Sequence, residues 1–484
     1  MTTHTQAPTS RPLTVLLAGT FMIVLDFFIV NVAIPSMQHD LQAGSGAIEW
    51  VLAGYGLTFA TSMIAAGRLG DRHGRRRMFS LGMALFTLAS AACGVASSPT
   101  VLVLARVVQG LGAALLAPQV LSIIGVVYDG PDRTRALGAY GIVAGLAAAG
   151  GQLIGGALVQ ADLLGLGWRA CFLINVPVGI AALALAPRLV PESRTKSASK
   201  LDAVGTLLVT LGLTAVVLPL VEGRQHGWPA WTWTCLAAAP ALLGAFALHQ
   251  RWLHRSGGDP LIDPSLFRER VFTAGLVTQV VFWGGQASFF LVLALYLQQG
   301  RGLSALDAGL VFTIMAVAYL ATSIAAPNLT ARHGRRVIAV GGLTLAAGHA
   351  VLLATVAELG TNGAIALLAP ALTLIGAGMG LLITPLMTIV LTDLDPETAG
   401  AASGILNTAQ QVGNAIGVAV IGVIFFGALH RGYADAFELS LACLAALLIA
   451  VVALSRLLPA PRTPDPSCPP GHRRTPAPSS ALTG

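Results

Sequence analysis

Apolar runs of about 20 residues recur along the 484-residue chain, separated by short polar breaks. A helix of that length crosses the hydrocarbon core of a bilayer, so each run predicts a transmembrane helix. Only 10% of the residues are charged, against roughly 25% in soluble globular proteins, so the chain cannot cover itself with polar groups in water. These features exclude soluble, fibrous and nucleic-acid-binding classes and predict an all-α integral membrane protein.

We predict fourteen spans, arranged as two six-helix bundles with two inserted helices between them. The tail is rich in Pro, Ser and Arg and is expected to be disordered, because it cannot bury a core. The predicted divisions are a cytoplasmic amino terminus (1–12), a first six-helix bundle (13–189), two inserted helices with flanking cytoplasmic loops (190–271), a second six-helix bundle (272–458) and a cytoplasmic tail (459–484).

The basic residues predict the orientation of these spans. Twenty-three of the 28 Lys and Arg residues fall in segments on the same side as the termini, and one, Arg106, falls within a span. The four on the other side are Arg169, Arg224, Arg301 and Arg431. Because basic loops stay in the cytoplasm, both termini are predicted to be cytoplasmic. The expected location is the bacterial cytoplasmic (inner) membrane, and the net charge of +7 is assigned to orientation rather than to an anionic partner.

An internal repeat relates the two predicted bundles. The string Arg-His-Gly-Arg-Arg at 72–76 recurs at 332–336, and both copies lie in loops on the cytoplasmic side. The second copy is eight spans after the first, which fits two six-helix halves separated by two inserted helices. Parallel repeats of this kind occur in transporters that bind substrate between the halves near the membrane midplane.

Two charged residues lie inside predicted spans, where an unpaired charge costs several kcal/mol. Asp26 lies in span 1 and Arg106 in span 4, roughly 12 and 8 Å below the outer surface. At those depths they can share one hydrated cavity, where a carboxylate whose surroundings change can load and unload a proton. We predict proton coupling through Asp26 and Arg106; a static charge pair or a snorkelling arginine is the alternative.

Uncharged polar and aromatic residues within the spans are candidates for a substrate cavity. For the amides the alternative role is hydrogen bonding between helices, and for the aromatic residues it is core packing or lipid contact. The candidates are Asn31, Tyr55, Gln109, Gln152, Gln279, Phe282, Trp283, Gln286 and Tyr319. A further polar stretch in span 13 contains Asn407, Gln410, Gln411 and Asn414.

Glycines spaced four residues apart predict close helix contacts in spans 5 and 13, which correspond under the repeat. We expect a moving contact between the halves there. The predicted interface glycines are Gly145, Gly151, Gly155, Gly156, Gly413 and Gly417.

Neither a metal site nor a cofactor is predicted. Four of the five cysteines lie in apolar runs without metal-ligand spacing, and the only lysines, Lys196 and Lys200, are not in an ATP-binding loop. The expected energy source is therefore the proton gradient.

Four sequence patterns resemble those of one transporter family. The segment Gly-Arg-Leu-Gly-Asp-Arg-His-Gly-Arg-Arg-Arg at 67–77 resembles the signature loop between spans 2 and 3 of the major facilitator superfamily. Residues 102–114, which include Arg106, are similar to its span 4 motif linked to proton coupling. Residues 25–35 and 168–179 resemble motifs of its fourteen-span drug:proton antiporters. The resemblance covers nearly the whole chain and implies the major facilitator fold and multidrug efflux.

The resemblance also implies a conformational latch. In that superfamily, the aspartate and arginines of the signature loop form a charge–dipole latch on the inner side that helps to set the outward-open state. The matching residues are Gly67, Asp71, Gly74 and Arg75. Ion pairs at helix ends can form in one state and break in the other, although topology-setting charge alone would also explain this loop.

The chain departs from the family pattern at two positions. Phe28 stands where the family usually has threonine, and Gln152 stands where the antiporter motif of span 5 usually has proline. Because proline kinks a helix, Gln152 predicts a straighter span and an added polar contact.

The resulting hypothesis is a secondary active transporter that exports amphipathic, often cationic drugs or toxic compounds in exchange for protons by alternating access, as a monomer. A dedicated exporter of one endogenous product, such as an antibiotic or siderophore, is the alternative. A membrane enzyme would need a catalytic constellation that the sequence does not show. A non-transporting sensor or scaffold would need an appended soluble domain or a long ordered tail.

Overall fold

The computed structural model describes residues 11–194, 202–223, 226–392 and 396–456, and within them the chain is helical without strands. Thirteen helices are long and apolar enough to cross a membrane. A fourteenth candidate is bent by 50° between Ser45–Met63 and Ala65–His73. The prediction of an all-α membrane protein is confirmed. The predicted tail, 459–484, and residues 1–10 lie outside the described residues.

The first bundle contains six spans. Its last span, α6, is broken at Ile174, and its main part is Asn175–Leu189. The helices are α1 Arg11–Asp40, α2 Ser45–His73, α3 Arg75–Gly94, α4 Pro99–Val127, α5 Gly130–Ala161 and α6 Gly167–Leu189.

Two inserted helices and a second set of six spans follow. The inserted pair is α7 Ala203–Gly223 and α8 Ala230–Arg255. The second bundle contains α9 Arg270–Leu295 with a π-helical turn Tyr296–Gly300, α10 Ala305–His333, α11 Arg336–Leu359, α12 Ala369–Thr392, α13 Pro396–Ala428 and α14 Tyr433–Ser455.

Local sequence explains where several helices begin and end. Ser98 caps α4 by accepting a hydrogen bond from the Val101 N–H at 3.3 Å, and Pro99 occupies the first helical turn, where no N–H is needed. Gly74 separates α2 from α3 with a φ of 111°, and its repeat counterpart Gly334 ends α10 with a φ of 54°. Residues with a Cβ are strained in these conformations, so the repeated glycine has a backbone role.

Glycines also allow helices to cross closely at equivalent places in the two bundles. A Cβ on Gly82 of α3 would lie 2.8 Å from the Gly112 carbonyl oxygen of α4. A Cβ on Gly341 of α11 would lie 3.0 Å from the Gly378 carbonyl oxygen of α12. The two halves therefore use the same small-residue contact between their third and fourth helices.

Two seams join the bundles, one between α5 and α10 and the other between α2 and α13. The inserted helix α7 packs on α2 and α13 through an apolar cluster that includes Leu213, Val217 and Ala415. The Trp50 indole N–H of α2 also donates to Glu222 of α7 at 2.6 Å. The inserted pair therefore covers one seam, and the structure shows no such cover at the other within the described residues.

Candidate functional site

The two charged residues predicted inside the membrane meet in the first bundle. Arg106 of α4 donates from Nη1 to Oδ2 of Asp26 in α1, and both side chains are fully buried. The Arg106 Nε–H donates to the Val51 carbonyl oxygen of α2 at 2.9 Å. Three helices of the bundle are thus joined at one guanidinium group.

Three uncharged side chains complete this network. Gln109 donates from Nε2 to Asp26 Oδ1 at 2.8 Å and accepts from Arg106 at 2.7 Å. Asn175 of α6 donates to Asp26 Oδ1 at 3.2 Å and to Ser90 of α3 at 3.0 Å. A buried ion pair is tolerated only when its remaining donors and acceptors are satisfied, and these amides provide that satisfaction.

An aromatic ring separates the network from the centre of the molecule. The Arg106 guanidinium carbon lies 4.2 Å from the centroid of the Tyr55 ring, within the range of a cation–π contact. Tyr55 lines the central cavity, whereas Asp26, Arg106 and Gln109 do not. The predicted pair is therefore together, but it lies behind the cavity wall rather than within a shared hydrated cavity.

A cavity of about 760 Å³ lies between the bundles. Its wall contains no charged side chain among the described residues, and many of its lining residues are aromatic or aliphatic. The aromatic lining residues are Phe27, Phe28, Tyr55, Phe59, Tyr140, Trp283, Phe290, Phe312 and Tyr319. The amides of the wall are Gln152, Asn407, Gln410, Gln411 and Asn414.

The cavity opens at the end of the molecule where α2 joins α3. Its wall begins at Thr20 on α1 and Leu137 on α5, and it continues to Pro327 near the end of α10. All three positions lie towards that end of their helices. Phe28 and Gln152 are the wall residues of α1 and α5 farthest from the opening.

Hydrogen bonds close the opposite end. Gln298 of the π-helical turn donates to the Val32 carbonyl oxygen of α1 at 2.9 Å. Gln299 donates to Gln38 of α1 at 2.9 Å and accepts from the Tyr433 hydroxyl at 2.7 Å. The two bundles are thus joined at the end opposite the opening.

The predicted cavity residues divide into two groups. Four line the cavity, namely Tyr55, Gln152, Trp283 and Tyr319. Five are buried away from its wall, namely Asn31, Gln109, Gln279, Phe282 and Gln286. Asn31 instead donates to the carbonyl oxygens of Phe27 and Phe28 in its own helix, at 3.1 and 3.3 Å.

The predicted interface glycines lie mostly inside the bundles rather than between them. Gly151 and Gly155 pack on α1, and Gly413 and Gly417 pack on α9. At the seam with α10, Gly156 faces the Ala305 carbonyl oxygen and Gly145 faces Leu320. A moving contact between halves is therefore supported at these last two glycines only.

The loop between α2 and α3 holds a local ion pair and an unforeseen carboxylate. Arg75 donates to Asp71 at 2.7 Å, and Gly67 lies against Pro118 of α4. Glu192, beyond α6, accepts from the Arg76 backbone N–H at 3.1 Å. It also occupies the space that a Cβ on Gly74 would need. Glu192 was not identifiable from the sequence, because it lies in a polar loop.

Two further features of the structure concern metal ligands and a buried histidine. Within the described ranges, no group of three His, Cys, Asp or Glu side chains could hold a metal ion. His349 of α11 is buried, and its Nδ1 lies 2.9 Å from the Leu345 carbonyl oxygen of the same helix.

Comparisons with known proteins agree with this architecture. The family model for the Major Facilitator Superfamily matches residues 16–418. The chain is 41% identical to the probable actinorhodin transporter of Streptomyces coelicolor, over 86% of this chain and 72% of that protein. It is 36% identical to the puromycin resistance protein pur8 of Streptomyces alboniger, with coverages of 87% and 83%. It is also 36% identical to the cephamycin export protein CmcT of Amycolatopsis lactamdurans, with coverages of 91% and 90%.

Solved structures share the fold at low sequence identity. A POT family transporter matches with a TM-score of 0.67 and 16% identity, over 92% of this chain and 96% of that one. A bacterial homologue of the human lysosomal transporter Spinster matches with a TM-score of 0.66 and 17% identity, over 93% and 97%.

Proposed function

We propose that this chain, which belongs to the Major Facilitator Superfamily, exports small amphipathic drug or antibiotic molecules in exchange for protons. The observation that carries the proposal is the buried Asp26–Arg106 pair placed directly behind the wall of a closed-ended cavity. The names of the similar proteins, which include an actinorhodin transporter and a cephamycin export protein, support an antibiotic-like cargo.

The basic loops support a cytoplasmic position for the open end. The end where α2 joins α3 carries Arg72, Arg75, Arg76 and Arg77, and basic loops remain on the cytoplasmic side of the inner membrane. On this assignment both termini are cytoplasmic, and the cavity faces the compartment from which a drug would be collected. The described part of one chain encloses the cavity, so the proposed transporter functions as a monomer.

The proposal of proton coupling is supported by the position of Asp26 on α1, between the wall residues Val24 and Phe27. Asp26 accepts hydrogen bonds from Arg106, Gln109 and Asn175 when it is ionised. Protonation removes the charge that holds the guanidinium against α1, so the network favours another arrangement of α1 and α4.

The same change reaches the substrate. Phe27 and Phe28 follow Asp26 directly and line the cavity, and Tyr55 contacts both the guanidinium and the cavity. Protonation from outside would therefore alter the wall and weaken substrate binding, and release of the proton inside would restore it. This gives alternating occupancy by proton and substrate.

The loop that contains Gly67, Asp71, Gly74 and Arg75 is proposed as the latch of the outward-open state. In the present state Arg75 pairs with Asp71 across neighbouring helix ends. Such a pair can exchange partners when the halves rock.

A dedicated exporter of one antibiotic is the second candidate. The uncharged cavity wall favours it, because a transporter of varied cationic drugs is expected to present a carboxylate to its ligands. Transport of a chemically broad dye panel would argue against this narrower reading.

The test is transport in proteoliposomes under an imposed pH gradient, with puromycin and ethidium as separate probes. Asp26→Asn preserves the shape of the side chain but cannot carry a proton, and we expect gradient-driven transport to fall to the level of protein-free liposomes. Asp435→Asn, an exposed aspartate in the first turn of α14, is the matched control and should transport like the unmodified protein. Transport by Asp26→Asn that still follows the gradient would refute coupling through this residue.

A further inference from the structure

Gln152 has an unusual environment at the closed end of the cavity. Its side chain is only 2% exposed, and neither its Nε2 nor its Oε1 has a hydrogen-bond partner. It is nevertheless a wall residue of the cavity. Leaving a buried amide donor and acceptor unpaired is unfavourable, so a ligand that paired with both would recover that cost.

Aromatic rings line the same cavity as this amide. A Cβ on Gly151 would lie 2.8 Å from the Phe28 Cβ, so α5 brings the neighbouring Gln152 close to α1 at this point. The Phe28 and Phe290 rings meet edge to face, with centroids 5.1 Å apart. Phe290 and Phe312 are stacked, with centroids 5.9 Å apart. Rings from α1, α9 and α10 therefore provide flat apolar surfaces beside an unpaired amide.

The two departures from the family pattern, Phe28 and Gln152, line the same end of the cavity, and Gly151, the neighbour of Gln152, packs on Phe28. Together they supply a ring face and a donor–acceptor pair at the same end of the cavity.

The charge of the surroundings restricts the ligand. The cavity wall has no carboxylate among the described residues, and Asp26 is already occupied by Arg106. A cation would lose its hydration without gaining a counter-ion. A neutral ring system would gain contact with the aromatic surfaces, and an amide binds best to a group that offers one donor and one acceptor side by side.

We propose that Gln152 and Phe28 form a recognition subsite for a neutral, flat aromatic ligand whose edge carries an adjacent N–H or O–H donor and carbonyl acceptor. The subsite rests on the proposed export function and specifies its substrate class. Gln152 pairs with the edge of the ligand while Phe28 packs on its ring.

Three phenanthridine compounds of similar shape test separately whether the ligand must be neutral and whether it must carry a hydrogen-bond donor. 6(5H)-Phenanthridinone is neutral and carries an N–H beside a C=O, its 5-methyl derivative lacks the donor, and ethidium is a phenanthridinium cation. Binding to the full-length protein in lipid nanodiscs, measured without a pH gradient, reports on the subsite alone. We expect the lactam to bind roughly tenfold more tightly than its N-methyl derivative, the effect of one or two paired hydrogen bonds.

Gln152→Leu removes both polar atoms and keeps an apolar side chain of similar size. We expect this variant to bind the lactam and its N-methyl derivative equally, while the affinity for the N-methyl derivative changes little. Gln160→Leu makes the same substitution at an exposed position of the same helix and should retain the tenfold preference.

Several outcomes would overturn the proposal. They are no binding of the lactam to the unmodified protein, tighter binding of ethidium than of the lactam, or persistence of the preference in Gln152→Leu. Failure of proton coupling is separable, because it would abolish gradient-driven transport while leaving the binding preference intact.

Discussion

The two bundles share a backbone plan and differ in what they bury. The offset of 260 residues between the copies of Arg-His-Gly-Arg-Arg also relates α1 to α9, and it places Gln286 where the first bundle has Asp26. In α12, Gly376 and Gly378 make the same kind of contacts as Gly110 and Gly112 of α4, and this alignment places Leu372 at the position of Arg106. The charged pair of the first bundle thus has an amide and a leucine as its counterparts.

The second bundle instead presents amides to the cavity. Asn407, Gln410, Gln411 and Asn414 lie on α13 and line the wall, and Asn414 donates to Gln411 at 2.8 Å. The corresponding helix of the first bundle, α5, contributes a single amide, Gln152. The two bundles therefore share one helix arrangement but contain different polar side chains. In our proposal the first bundle handles the proton, and both bundles contact the substrate.

The largest expected effect on stability comes from replacing Arg106 of the first bundle by leucine, its counterpart in the second bundle. Arg106→Leu leaves Asp26 buried without its counter-ion, which should lower the free energy of unfolding by about 3–5 kcal/mol. Thermal unfolding in detergent measures this loss. The double variant Asp26→Gln/Arg106→Leu reproduces the pair found in the second bundle and should recover most of the stability. Equal losses in the single and double variants would show that the pair contributes little beyond packing.

A smaller effect is expected where the second bundle is packed most closely. A Cβ on Gly417 would collide with the Gly284 carbonyl oxygen of α9, and Gly417→Ala should cost about 1–3 kcal/mol by forcing α9 and α13 apart. Gly427→Ala, on the same helix with no atom near its Cβ, is the control and should not be destabilised. Unchanged thermal stability of Gly417→Ala would mean that the crossing is looser than the structure indicates.

The smallest effect is expected from the wall of the second bundle. The Asn414 Oδ1 atom is buried without a hydrogen-bond partner, and Asn414→Leu removes it together with the bond to Gln411. We expect substrate affinity to change by roughly tenfold or less, while transport retains its dependence on the pH gradient. Measuring binding and gradient-driven transport on the same preparation distinguishes the two bundles. Loss of gradient dependence in Asn414→Leu would contradict the division between them.

The sequence predicted those features that depend only on neighbouring residues along the chain. Asp26 and Arg106 were identifiable because a charge in an apolar run is costly wherever it points. The repeated glycine before Arg75 marked a helix boundary that the structure also has. The family resemblance, now confirmed, was carried by short motifs of this kind.

The orientation of side chains around each helix was not predictable in the same way. A soluble helix reveals its buried face by its polar face, but a membrane helix is apolar all round. Gln109 and Gln152 therefore looked alike in sequence, although one joins the charge network and the other lines the cavity. Ser90 gave no signal, and Asn175 was noticed only through a motif, because their partners lie on other helices.

The inserted helices change the mechanics of the molecule. Trp50 of the first bundle is hydrogen-bonded to Glu222, and Arg68 donates to the carbonyl oxygens of Asp259 and Pro260 beyond α8. The contact of α7 with α13 runs through apolar side chains such as Ala415 and Ala419, which can slide. The first bundle and the two inserted helices therefore form one unit of eight helices, and the second bundle forms a unit of six. We expect the six-helix unit to carry most of the displacement against the surrounding lipid.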